Sequence, residues 1–92
     1  MVSYDFAPRG VCANNIHVEL DDTGSIIESV AFTGGCNGNL KAVSKLVAGQ
    51  SVERVVKLLA GNTCGSRPTS CADQLTRALI EAAARAHGQA GA

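Results

Sequence analysis

The stretch Thr33-Gly34-Gly35-Cys36-Asn37-Gly38-Asn39 places three glycines, two asparagines and one thiol in seven residues. An apolar, β-like run, Val30-Ala31-Phe32, ends just before it, and a helical pattern starts just after it at Leu40. Glycine lets backbone amides approach a ligand closely, and asparagine caps helices. The spacing therefore predicts a strand-to-helix corner. Corners of this kind point amides at an anion or at a metal-bound sulfur. Cys36 stands in its middle, with Gly34, Gly35, Asn37, Gly38 and Asn39 as supporting residues.

The rest of the chain bounds what such a corner can serve. Its 92 residues suffice for one domain. A hydrophobic share of 46% suits a folded chain with a modest core. Aromatics make up only 3%, which argues against base stacking on single strands. Eight basic residues balance eight acidic ones, so no broad basic field favours nucleic acid or a membrane surface. Met1 to Gly10 has no apolar signal core, and no run reaches the roughly 20 apolar residues of a membrane helix. The expectation is a cytoplasmic protein. Four cysteines in a reducing compartment read better as metal ligands or redox thiols than as disulfides. The plainer reading is that some are small buried hydrophobes.

Tyr4 and Phe6 alternate with Ser3 and Asp5, predicting a short first strand that Pro8 ends. Ile16, Val18 and Leu20 alternate with His17 and Glu19 in a half-buried second strand. Asp21-Asp22-Thr23-Gly24-Ser25 has the chemistry of a turn, and Ile26 to Phe32 returns. Three helical patterns come next. The first carries Leu40, Val43 and Val47 and stops at Gly49. The second is capped by Ser51, carries Val52, Val55, Val56 and Leu59, and ends at Gly61. Ser70 and Asp73 form an S-x-x-D capping box for the third, which buries Leu75, Ala78, Leu79 and Ala82. Gly88 is expected to close it, leaving 89–92 as a frayed tail. Three strands then three helices read as α+β: a short antiparallel sheet with helices on one face.

Pairing Ile16 with Phe32 and Val18 with Val30 keeps both apolar sets on one face of the hairpin. Continued, that register puts Cys12 opposite Cys36, and a one-residue slip leaves them neighbours. Directly opposed Cβ atoms lie about 4.5–5.5 Å apart, close enough to share a metal. Cys71 opens the third helix, where exposed amides and the dipole stabilise a thiolate. Cys64 lies seven residues earlier across a loop, with Arg67 between them as a candidate partner for thiolate charge. Four thiolates in tetrahedral array suit zinc or an iron–sulfur cluster. His17, on the polar strand face, and His87, near a helix end, read as solvated. So do Lys41, Lys45, Arg54 and Lys57. No carboxylate pair or serine–histidine arrangement suggests hydrolysis, and the glycine corner lacks the nucleotide-binding patterns.

Thr69-Ser70-Cys71-Ala72-Asp73 resembles the TSCPD motif, with alanine in place of proline. Pro8-Arg9-Gly10-Val11-Cys12, the corner from Phe32 to Leu40, and Cys64-Gly65 extend the likeness to the small stand-alone TSCPD-domain proteins. That domain also occurs toward the C-terminus of cobalamin-dependent ribonucleotide reductases. Stand-alone members are therefore often labelled ribonucleoside-diphosphate reductase. This chain is too short to hold the radical barrel and is not that enzyme by itself. More distantly, Cys12, Cys36 and Cys71 match the three cysteine positions of U-type iron–sulfur scaffold proteins, whose aspartate after the first cysteine is here Ala13-Asn14. The resemblances imply a zinc or iron–sulfur site at Cys12, Cys36, Cys64 and Cys71. A thiol relay or accessory module serving ribonucleotide reductase, or an interaction module with a structural metal, are the alternatives. The expected partner is a ribonucleotide reductase, another redox protein, or a second copy of the chain.

Overall fold

A computed structural model gives the three-dimensional structure and describes residues 2–11, 13–35, 37–62 and 69–91. For Asn37 and residues 87–91 the description is of the backbone alone. Strands β1 (Val2–Phe6), β2 (Ala13–Leu20) and β3 (Ile27–Gly34) precede helices α1 (Asn37–Val47), α2 (Val52–Leu59) and α3 (Cys71–Gly91). The sheet is antiparallel in the order β1-β2-β3. The α+β fold of three strands and three helices is thus as the sequence predicts.

Alternation sorts the sheet into two faces. Ile16, Val18, Leu20, Ile27 and Val30 are buried on one, under α3 and α1. Asp5, Asn15, His17, Glu19 and Ser29 lie on the other. The predicted pairs Ile16–Phe32 and Val18–Val30 are both present. Two irregularities interrupt the ladder. Leu20 pairs with Ile27 where Glu19 pairs with Ser29, so Glu28 is the extra residue. That insertion turns Ile27 into the core and leaves Ile26 39% exposed, although strict alternation from Val30 would bury Ile26. At the other end Asn15 pairs with Thr33 but Ala13 with Gly34, so Asn14 is extra.

The turn is held as its residues suggest: Asp21 Oδ1 accepts from the amides of Ser25 and Ile26 and from the Thr23 hydroxyl. Gly24 has φ +74°, and a Cβ there would lie 2.8 Å from that of Ala86. Only glycine lets α3 cross so close to the hairpin. The linker between α1 and α2 is tied to β3 through Ile27 N to Gln50 O and Gly49 N to Ile27 O. Ser51 caps α2 by accepting from the Arg54 amide at 3.1 Å.

Leu75, Ala78, Leu79 and Ala82 are fully buried, so α3 is the central pillar of the core. Truncating either leucine to alanine is expected to cost about 2–5 kcal/mol. One boundary differs from expectation: Gly88 does not close α3, whose backbone stays helical to Gly91. A single helical glycine costs only about 1 kcal/mol, and the alanine-rich run around it favours continuation. The backbone of Gln89 to Gly91 is helical.

Candidate functional site

The start of α3 carries the densest side-chain hydrogen bonding among the described residues. Ser70 Oγ accepts from the Asp73 amide at 3.1 Å, the first half of the capping box. The second half is not made. The Asp73 carboxylate turns outward and accepts from the Gly61 amide at 2.7 Å and from the Thr69 hydroxyl. Asp73 is 6% exposed, and these bonds, the Thr69 hydroxyl first, hold its carboxyl below the usual range. Ser70 Oγ also donates to the carbonyl of Asn62 at 2.6 Å and accepts from its amide nitrogen Nδ2 at 3.3 Å. Gln74, 4% exposed, donates to Thr69 Oγ1 at 3.0 Å and accepts from the Arg9 amide at 3.2 Å.

Four side chains at and just before the start of α3 thus gather two remote segments. Arg9-Gly10 comes from the approach to β2, and Gly10 lies against the Thr69 methyl, where a Cβ would sit 3.6 Å away. Gly61-Asn62 comes from the end of α2. The glycine corner joins through the sheet: Ala13 pairs with Gly34, and Gly34, at φ +80°, lies against Asn14. Gly35 is also left-handed, at φ +78°. Gly38 sits in the first turn of α1 with open space where a Cβ would go, and Asn39 is exposed.

Of the predicted thiols, Cys71 is the one described. It is half-buried at the first turn of α3 and forms no disulfide. Cys12, Cys36, Cys64 and Arg67 lie outside the described residues, as does the Asn37 side chain. Among the described residues close to them in sequence, Arg9 and Gly10 and Gly61 and Asn62 meet the turn from Thr69 to Gln74, and Ala13 pairs with Gly34. Among the described residues no three histidine, cysteine or acidic side chains group as a metal site.

Sequence reasoning undervalued Thr69 and Gln74, and read His17 as a solvated residue of the polar strand face without its partners. Thr69 and Gln74 are buried hubs, and the signal for them was the polar density of Thr69 to Gln74 just ahead of Leu75. His17 does lie partly exposed on the polar face, between two acids. Its Nδ1 lies 2.9 Å from Asp5 Oδ1 and its Nε2 3.2 Å from Glu19 Oε2, and these two carboxylates raise its pKa above 6.5. The cross-strand neighbour Asp5 and the same-face neighbour Glu19 could have been read from the β1–β2 register.

A three-stranded antiparallel sheet carrying three helices, with a threonine-serine-cysteine-x-aspartate turn opening the last, defines a small α+β domain with a cysteine at the start of its last helix. A family model described as TSCPD domain matches residues 1–83, and the chain belongs to that family. Ala72 stands where the motif's proline would be, in the first helical turn, where amides have no helical acceptor and proline is tolerated. No curated protein and no solved structure matches the chain.

Proposed function

We propose that this protein is a thiolate-site module that binds zinc or an iron–sulfur cluster through Cys12, Cys36, Cys64 and Cys71. One observation carries the reading. Arg9 and Gly10, shortly before Cys12, and Gly61 and Asn62, shortly before Cys64, are bonded or packed around the turn that presents Cys71, while Gly34, two residues before Cys36, pairs with Ala13, next to Cys12. The donor set fits: four soft thiolates suit tetrahedral zinc or iron–sulfur ligation. A bound metal would supply either a structural crosslink or an electron-transfer centre. Thr69, Ser70, Asp73 and Gln74 would act as positioning residues, fixing the loops that bring the thiols in. Ribonucleotide reductase or another redox protein is the partner the family membership suggests.

Metal analysis of protein purified without oxygen tests this. A coloured protein with iron and sulfide indicates a cluster, and a colourless one with zinc indicates a structural or Lewis-acid site. A metal-free protein with a titratable disulfide contradicts the proposal in favour of a thiol relay.

A further inference from the structure

Strand β3 forms one edge of the sheet, with β2 as its sheet neighbour. Its outer edge is bonded at Ile27, whose amide donates to Gln50 O and whose carbonyl accepts from the Gly49 amide. Among the described residues no further backbone bond is made along that edge from Glu28 to Gly34. There the edge opens on a cleft of about 320 Å³ between β3 and α1. Val30, Phe32 and Leu40 form its apolar wall.

The charge of this cleft has one sign. Lys41 and Lys45 line it, and no acid does. Neither lysine pairs with an acid among the described residues. α1 contains no acid, and that of β3, Glu28, is the bulge residue and stands outside the cleft lining. Two like charges one turn apart destabilise a helix, so helix stability does not explain the pair. The opposite edge strand, β1, borders a cleft of mixed sign, with Asp5 and Glu81 beside Arg9 and Arg77.

From this open edge and its two lysines, we propose that β3 takes an acidic extended segment of a partner protein as a fourth strand of the sheet. Two observations define the occupant. The unpaired backbone groups of the edge select an extended chain, and the lysine-lined cleft beside them selects carboxylates. Four residues of helix rise about 6 Å, and alternate residues of a strand lie about 6.6 Å apart. Two acids on the helix-facing side of the added strand therefore reach Lys41 and Lys45, with their methylenes on Val30, Phe32 and Leu40. A second copy of the chain fits poorly. Antiparallel β3–β3 pairing sets both α1 helices on the same sheet face and brings two pairs of unpartnered lysines to one seam. The inference rests on β3 and α1 and is independent of the thiol site.

The test uses three labelled peptides of about ten residues, enough to span a strand edge. They share one β-prone frame and carry glutamate, glutamine or lysine at the same alternate positions. Binding to the full chain is read by fluorescence anisotropy at low and high salt. The glutamate peptide should bind about tenfold tighter than the glutamine one, weaken with salt, and exceed the lysine peptide further. Lys41→Glu and Lys45→Glu should each weaken it about tenfold with unchanged melting, because both side chains are exposed. N-methylation of one alternate set of peptide amides should abolish binding and of the other set should spare it, because alternate amides face opposite edges of a strand. Amide shifts of isotope-labelled protein should centre on β3. Equal binding of the three peptides, no binding, an equal response to the two methylated sets, or shifts centred on β1 would overturn the proposal. So would a wild-type dimer joined through β3, which would make a second copy the occupant.

Discussion

The Asp73 carboxylate accepts the backbone amide of Gly61 at 2.7 Å, joining the first turn of α3 to the end of α2. Through that bond and its bond from Thr69, one acid serves a loop and a helix start together. Asp73→Ala strands a part-buried amide and a buried hydroxyl. The expected loss is about 2–3 kcal/mol in urea unfolding, more than the roughly 1 kcal/mol of a simple cap. Because Asp73 titrates below its ordinary 3.8, its contribution is complete above that pH and is lost as pH falls through the folded value. The variant should therefore show a flatter acid limb. An Asp73→Ala protein as stable as wild type would show that the clasp is incidental.

His17 gives a second, opposite limb. Asp5 and Glu19 raise its pKa above 6.5, so its contribution is full below 6.5 and fades as pH rises through the folded value. Asp5 is lowered, by Asn15 first and then His17, and Glu19 is lowered by His17 first. Their contributions are full above 3.8 and 4.5 and fade as pH falls. The triplet should stabilise most between about 4.5 and 6.5. Melting temperature against pH for His17→Gln should lose the decline on the alkaline side of that window. An unchanged profile would mean the three groups are too solvated to matter.

Two corner glycines should answer differently to a methyl group. Gly34→Ala meets a left-handed φ of +80° and Asn14 Nδ2 at 2.8 Å, so a loss of about 1–2 kcal/mol is expected. Gly38→Ala enters open space within a helix and should gain about 0.5–1 kcal/mol. Chemical denaturation of both variants checks the sign of each change. Equal effects would contradict the corner geometry.

The strands, their register around Val18 and Val30, and the buried stripe of α3 were legible because burial imposes a period on the sequence. The two bulges were not. Asn14 and Glu28 are polar, exposed insertions that alternation cannot flag, and each shifts the pairing beyond it by one residue. The first of them alters the pairing beside the predicted Cys12–Cys36 neighbours, which themselves lie outside the described residues. Ser70 as a cap was readable from its spacing to Asp73. That Asp73 would instead reach for Gly61 depends on where α2 ends in space, which no local pattern encodes. The open cleft between α1 and β3 was hidden for a related reason: α1 has an apolar stripe, and sequence does not say how closely that stripe meets its neighbour.

The central claim is that four thiolates share one site. X-ray absorption at the metal edge of anaerobically purified protein tests it most directly. Four sulfur scatterers at about 2.3 Å are expected in the wild type, with Cys71→Ser losing one of them or losing the metal. A metal with mostly nitrogen or oxygen neighbours, or a Cys71→Ser spectrum identical to wild type, would contradict it.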